Sequence, residues 1–302
     1  MLVSAYLNGS TAGSPPPPQD HDRAKRGVVK GWSTAAVRRH TKWLYSIDSD
    51  DLDGEGFAVT LTIRDTPGTA ADWTATRRSF IRRLERAGLV RIHWLTEWQR
   101  RGAPHLHCAI YLPAGTDFLT AYKLILTAWL DVAGVYGASS TGQDIKRIDG
   151  VKGWLQYLSK HASRGVRHYQ RMGSPVGWEK TGRLWGHGGT WPEVEPLQFV
   201  LARSTGHRYR RLVRAWTVAD ARRSGDPKRI KWARRMLACN DPKLSPVRGV
   251  SGWVPESVSL SFIVLLIDQG EGVIQRAQVQ DQDAPPTGPA SPGALPLLAL
   301  QD

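Results

Sequence analysis

The stretch Glu97-Trp98-Gln99-Arg100-Arg101-Gly102-Ala103-Pro104-His105-Leu106-His107 contains the end of one strand-like run, a loop and the start of a second run. The first run is Val90 to Trp98, and the second is His105 to Leu112. The Arg-Gly-Ala-Pro segment between them is typical of a loop, because glycine and proline punctuate regular structure. We therefore expect the two runs to pair as an antiparallel β-hairpin.

Strand and helix patterns alternate on both sides of this hairpin. Phe57 to Ile63 alternates large apolar residues with small or hydroxyl residues, which predicts a half-buried strand, and Asp144 to Ile148 predicts a short one. Helices are predicted at Asp72 to Ala87, Thr116 to Ala133 and Val151 to Ser163. Strands mixed with helices favour an α+β fold, with a central antiparallel sheet flanked by helices.

Composition divides the chain into four parts. Residues 1–30 include the proline run Pro15 to Pro18 and are predicted to be a disordered lead. Residues 31–191 carry the alternating pattern and are expected to form the main domain. Residues 192–267 are predicted to be a basic, helical C-terminal region, and residues 268–302 a disordered, low-complexity tail.

The charge balance predicts the kind of partner. Lys and Arg number 41 against 27 Asp and Glu, which gives a formal charge of +14. Such an excess suits a nucleic acid, because phosphate neutralisation and counterion release drive much of that binding. The only two cysteines, Cys108 and Cys239, lie far apart, and Met1 to Gln19 lacks the pattern of a secretory signal. We expect a soluble, cytoplasmic protein.

The C-terminal region is rich in arginine. Arg208 to Arg223 and Asp226 to Cys239 are predicted to be helices separated by Ser224-Gly225, and Ser257 to Ile267 is a candidate late strand. The arginines suit contact with the backbone of duplex DNA. A solvated helix face is the alternative interpretation, and interspersed Tyr209, Trp216 and Trp232 fit packing better than base stacking.

The hairpin also carries a candidate metal site. Alternate side chains of a strand share a face, so His105 and His107 project together. Glu97, on the paired strand, is the candidate third ligand, and His93 is its local rival. Two imidazoles and a carboxylate accept Mg²⁺ or Mn²⁺ and leave positions open for a phosphate oxygen.

A tyrosine follows the histidines at some distance along the chain. Tyr157 and Lys160 have i,i+3 spacing, which places both on one face of a helix. A phenol with a pKa near 10 needs help to act as a nucleophile, and a nearby cation gives it. A packing tyrosine beside a solvated lysine is the alternative. Tyr169 is a second candidate that lacks a lysine one turn later.

Taken together, these segments resemble the motifs of rolling-circle replication initiators, plasmid and phage type. Phe57 to Ile63 resembles their first motif, Glu97 to Tyr111 the histidine-hydrophobic-histidine metal motif, and Trp154 to Lys160 the Tyr-x-x-Lys motif. Gly182 to Gly186 resembles a segment that follows the tyrosine in such proteins. The resemblance covers about Phe57 to Gly186.

This resemblance implies an HUH endonuclease, with an RRM-like antiparallel sheet. By the same resemblance, Tyr157 is the nucleophile, Lys160 neutralises the phosphate, and Mg²⁺ or Mn²⁺ is bound by Glu97, His105 and His107. Thr60 and Thr62 are candidates for lining the site. DNA contacts are assigned to Arg100, Arg101, Arg164, Arg210, Arg211 and Arg214.

The implied reaction nicks one strand of origin DNA. The tyrosine forms a 5′-phosphotyrosine link and leaves a 3′-hydroxyl, which a host DNA polymerase extends. Single-stranded DNA is the expected substrate at the cut. The chain has no G-x-x-x-x-G-K-[ST] sequence, so a host helicase is expected to unwind the duplex.

Other functions remain open at this stage. A transposase or a relaxase uses the same chemistry, but relaxases place the tyrosine before the histidines, and Tyr6 and Tyr45 lack that setting. A catalytically silent DNA-binding regulator and a metal-dependent hydrolase that forms no covalent adduct are further alternatives.

Overall fold

The computed structural model describes residues 1–14, 27–150, 153–154, 157, 161, 166–238 and 250–276. Within these residues the chain forms two five-stranded antiparallel sheets and six α-helices, an α+β fold. The predicted fold class is therefore confirmed.

The regular elements are numbered in chain order. The strands are β1 (Leu2–Tyr6), β2 (Gly9–Gly13), β3 (Glu55–Thr62), β4 (Arg91–Trp98), β5 (Pro104–Leu112), β6 (Asp144–Ile148), β7 (Trp185–Gly189), β8 (Leu197–Leu201), β9 (Val250–Gly252) and β10 (Val273–Arg276). The helices are α1 (Thr34–Ser46), α2 (Ala70–Arg86), α3 (Phe118–Ala133), α4 (Arg203–Ser224), α5 (Pro227–Ala238) and α6 (Glu256–Asp268). Two 3₁₀ turns, Gly134–Tyr136 and Ser140–Gly142, follow α3.

The first sheet has the strand order β6-β3-β5-β4-β7. Strands β4 and β5 pair through the predicted hairpin, with Glu97 opposite His105 and Leu95 opposite His107. On its other edge, β5 pairs with β3, with Thr60 opposite His107. The polar residues of three strands thus meet on one face of the central strand.

The opposite face of this sheet is apolar and is covered by α2 and α3. Helix α2 begins with a capping box between Thr69 and Asp72 and buries Trp73 and Phe80 against the strands. Helix α3 extended through Tyr136 is long and apolar enough to span a membrane by composition alone. Its buried residues, which include Trp129, instead belong to the same hydrophobic cluster as the sheet. It is therefore the core helix of this layer.

The second sheet changes the picture of the N-terminus. Its order is β10-β8-β1-β2-β9, so the hairpin of β1 and β2 lies in its middle. The prediction of a disordered lead over residues 1–30 is wrong for residues 1–14. Val3 and Ala5 are buried and pair with Phe199 and Leu197 of β8. The partner strand lies almost two hundred residues away, so local composition does not reveal the pairing.

The C-terminal part is not only helical. The predicted helices are present as α4 and α5, but β8, β9 and β10 join the N-terminal hairpin beside them. The predicted late strand at Ser257 to Ile267 is wrong, because α6 occupies it. A short apolar run fits a buried helix as well as a strand. Strand β10 lies inside the predicted tail, whose residues 277–302 are outside the described residues.

Candidate active site

Glu97, His105 and His107 form a buried cluster on the polar face of the first sheet. One ligand atom from each lies within 4.8 Å of the other two. The Nε2 atoms of the two histidines are 3.0 Å apart, and Nε2 of His107 is 3.5 Å from Oε2 of Glu97. Two imidazole nitrogens and a carboxylate oxygen are a donor set for a divalent ion. The cluster predicted from the hairpin therefore exists and can hold a metal ion.

Neighbouring side chains orient the two imidazoles. Thr60 Oγ1 lies 3.0 Å from Nδ1 of His107, which leaves the Nε2 atom of that ring toward the cluster. Gln170 Nε2 lies 3.4 Å from Nε2 of His105. Polar partners of this kind fix the ring orientation of metal-binding histidines. Of the two threonines predicted to line the site, Thr60 contacts a ligand, whereas Thr62 donates to the carbonyl of Gly142.

Arg171 holds the carboxylate of the cluster. Its Nε donates to Oε1 of Glu97 at 2.9 Å, and both side chains are fully buried. Its Nη2 donates to the carbonyl of His161, and its guanidinium lies 4.3 Å from the ring centre of Trp32. A buried carboxylate needs such a partner, since an isolated buried charge is very unfavourable. Arg171 is thus a site residue that sequence reasoning missed.

Tyr157 lies beside the cluster. Its side chain is buried, and its hydroxyl oxygen is 2.9 Å from Nδ1 of His93. The ring centre of His161 is 4.7 Å from that of Tyr157 and 4.8 Å from that of His107. His161 therefore connects the tyrosine to the metal ligands. It follows Tyr157 by four residues, a helical spacing that was readable in the sequence.

Burial raises the pKa of Tyr157 well above its usual value. Desolvation disfavours the phenolate, and the nearby ionisable groups add to this effect. A tyrosine in this environment stays protonated at neutral pH. Any reaction through its oxygen therefore requires a group that takes the proton.

His93 is the group in contact with that proton. The prediction that His93 rivals Glu97 as third ligand is not supported, because the cluster of described residues comprises Glu97, His105 and His107. Nε2 of His93 lies 2.9 Å from Nε2 of His40, which completes a buried Tyr-His-His chain. Burial, with His187 nearby, lowers the pKa of His93 to about 3, and burial holds the pKa of His40 well below its usual range. Both rings are therefore neutral.

The arginines of the β4–β5 turn have separate environments. Arg101 donates to the backbone carbonyls of Ile63 and Arg64, so its guanidinium fastens the turn to the end of β3. Arg100 is exposed, and its guanidinium carbon lies 5.6 Å from the ring centre of Tyr169. Of these two predicted DNA contacts, Arg100 has the freer side chain.

Three further DNA contacts were predicted on α4. Arg210 and Arg214 are buried, with 2% and 3% of their surface exposed, so they do not display guanidinium groups to a duplex; this corrects their predicted role. Arg211 is exposed. Helix α4 turns its face with Arg210 and Arg214 toward the interior, a burial that arginine composition does not predict. Trp232 of α5 is also exposed, contrary to a packing role.

Part of the predicted catalytic helix, Val151 to Ser163, lies outside the described residues. Gly153, Trp154, Tyr157 and His161 are helical. Lys160 and Arg164, which were predicted to contact phosphate and DNA, are outside the described residues.

Comparisons with known proteins agree with this site. Residues 56–191 match a family model for replication-associated proteins of the ORF2 and gene II protein type. A putative replication protein of Xylella fastidiosa strain 9a5c is 48% identical over 90% of this chain and 98% of its own length. The replication-associated protein of Pseudomonas phage Pf3 is 42% identical over 89% of this chain and 98% of its own length. No solved structure matches significantly.

Proposed function

Because the chain belongs to this family of replication-associated proteins, we propose that it starts replication by nicking one DNA strand at an origin. In this proposal Tyr157 is the nucleophile. The observation that carries it is the position of Tyr157, which contacts His161 beside His107 of the metal-ligand cluster. A phosphate bound at the cluster would lie next to the phenol.

Glu97, His105 and His107 would hold the Mg²⁺ or Mn²⁺ ion of the reaction. When bound, the ion supplies charge stabilisation at a non-bridging phosphate oxygen. Thr60 and Arg171 keep His107 and Glu97 in place for this role.

The Tyr157 oxygen then attacks the phosphorus, and its proton passes to Nδ1 of His93. The bond from phosphorus to the 3′ oxygen breaks, and that oxygen takes a proton from solvent. The products are a 5′-phosphotyrosine link and a 3′-hydroxyl. Because the new link is also a phosphodiester, the break can be resealed without a nucleotide cofactor.

The remaining contacts are proposals from sequence. Lys160 would neutralise the phosphate, and Arg100, Arg101, Arg164 and Arg211 would bind DNA. Host helicase and host DNA polymerase would open the duplex and extend the 3′-hydroxyl in the cytoplasm. The relatives' names concern replication, which favours an initiator over a transposase or a relaxase. The intact ligand cluster favours an enzyme over a silent regulator.

The test is incubation with a library of single-stranded oligonucleotides that covers the replicon, with Mn²⁺ or Mg²⁺, followed by a denaturing gel. We expect a covalent protein–DNA adduct that disappears in Tyr157→Phe and when the metal is chelated. Tyr122→Phe is the matched control, since Tyr122 lies on α3 behind the sheet.

Each other outcome would contradict the proposal in a distinct way. Cleavage without an adduct would identify a metal-dependent hydrolase. An adduct that persists in Tyr157→Phe would assign the nucleophile to another residue. Tight binding of the origin without cleavage would identify a DNA-binding regulator.

A further inference from the structure

A groove of about 430 Å³ lies at the end of the first sheet, between the β4–β5 turn and residues 169–174. Tyr169 and Met172 line it with 51% and 59% of their surface exposed. Large apolar side chains are usually covered in a folded domain, and Tyr169 lies between a cation and an open groove. This exposure calls for a ligand rather than a packing explanation.

The groove adjoins the metal-ligand cluster on both of its walls. Trp98 in one wall directly follows the ligand Glu97, and Tyr169 in the other directly precedes Gln170. The Gln170 side chain lies 3.4 Å from His105, and its carbonyl accepts from the backbone N–H of Trp98 at 2.8 Å. The Trp98 indole in turn donates to the carbonyl of Gly173 at 3.0 Å. These bonds fix the groove relative to the cluster.

The lining groups have the chemistry that recognises single-stranded DNA. An exposed phenol ring offers a stacking surface to any base, since every base has a π-face. The flexible thioether of Met172 adapts to an aromatic ring. The guanidinium of Arg100, 5.6 Å from the Tyr169 ring centre, offers a charge to the adjoining phosphate. The formal charge of +14 is consistent with such a strand.

We propose that this groove binds a base of the single-stranded substrate close to the scissile phosphate, with Tyr169 as its stacking platform. The inference rests on the proposed nicking function and deepens it. It assigns Tyr169 to substrate binding through its ring, not to a second nucleophilic attack through its hydroxyl. Stacking holds the strand against the cluster without reading its sequence.

The test compares Tyr169→Ala with Tyr169→Phe in the full chain. Binding of fluorescent oligo(dT) is measured by anisotropy in chelator, so that no cleavage occurs. Loss of one stacked base weakens binding by about 5- to 150-fold. We expect this loss in Tyr169→Ala and near-normal binding in Tyr169→Phe. Val176→Ala is the matched control, because Val176 is fully exposed on the same segment outside the groove.

A second probe separates stacking from charge. An abasic strand of the same length keeps the phosphates and lacks the bases, so Tyr169→Ala should bind it as the unmodified protein does. An equal loss on both strands, or no loss on oligo(dT), would overturn the proposal. So would a loss of the covalent adduct in Tyr169→Phe, since this variant keeps the ring. A failure of the Tyr157 mechanism would leave these binding results unchanged, so the two failures are distinguishable.

Discussion

The hydroxyl oxygen of Tyr157 lies 2.9 Å from Nδ1 of His93, in a fully buried contact between the helical residues 153–161 and β4. Burial keeps the tyrosine protonated and the histidine neutral. A neutral imidazole can accept a proton at Nδ1, and His40 contacts its other nitrogen. The nucleophile proposed here therefore has its proton acceptor in place before substrate arrives.

Replacing His93 with Phe should slow adduct formation by about 10²- to 10⁴-fold, the range for loss of a general base. The affinities for Mn²⁺ and for oligo(dT) should stay close to normal, because His93 contacts neither the ligand atoms nor the groove. Single-turnover adduct formation and anisotropy measure the two properties. His187→Phe is the matched control, since His187 stacks on Trp43 at the sheet edge. A normal single-turnover rate in His93→Phe would exclude the base role.

The buried histidine should also make stability depend on pH. The pKa of His93 in the folded protein is about 3, whereas an unfolded histidine titrates near 6.5. Its contribution to stability is full above about pH 6.5. As the pH falls from there toward 3, the unfolded chain binds a proton that the folded chain excludes, so stability is lost.

The size of this effect follows from the two pKa values. Between about pH 7 and about pH 5, His93 alone should reduce the free energy of unfolding by about 2 kcal/mol. Urea unfolding at both pH values measures it, and the loss should be smaller by that amount in His93→Phe. Parallel losses in the two proteins would mean that His93 titrates normally when folded.

Thr60 should tune metal affinity through His107. Thr60→Val keeps the shape of the side chain but removes the hydroxyl that lies 3.0 Å from Nδ1 of the ligand. Loss of such an outer partner weakens metal binding by about 10- to 100-fold. Calorimetric titration with Mn²⁺ measures this change. Thr62→Val is the matched control, because that hydroxyl donates to Gly142 instead; equal affinities in the two variants would refute the orienting role.

The metal ligands are predictable from sequence because their geometry is local. Two-residue alternation places His105 and His107 on one face, and a short loop brings β4 back beside β5. Glu97 then lies opposite His105 with no further information needed. The position of Tyr157 follows from the resemblance of its motif to those of a known family. Local periodicity alone does not place that helix against this face.

The rest of the site depends on contacts between distant segments. Arg171 and His40 lie 74 and 53 residues from their partners Glu97 and His93, within segments of no distinctive pattern. The N-terminal hairpin likewise depends on β8 for its burial. Arg210 and Arg214 show the converse limit, since arginine content predicts an exposed face and only tertiary packing decides which side is buried.

Arg171 should be replaceable in part by a metal ion. Arg171→Met leaves Glu97 as a buried carboxylate without its 2.9 Å partner, which should lower stability by about 3–5 kcal/mol. Mn²⁺ at the cluster supplies positive charge to the same carboxylate, so binding should raise the melting temperature more in Arg171→Met than in the unmodified protein. Arg183→Met, at an exposed arginine, should change neither value. Thermal unfolding with and without Mn²⁺ tests this, and an equal rise in all three proteins would show that Arg171 and the metal act on the carboxylate independently.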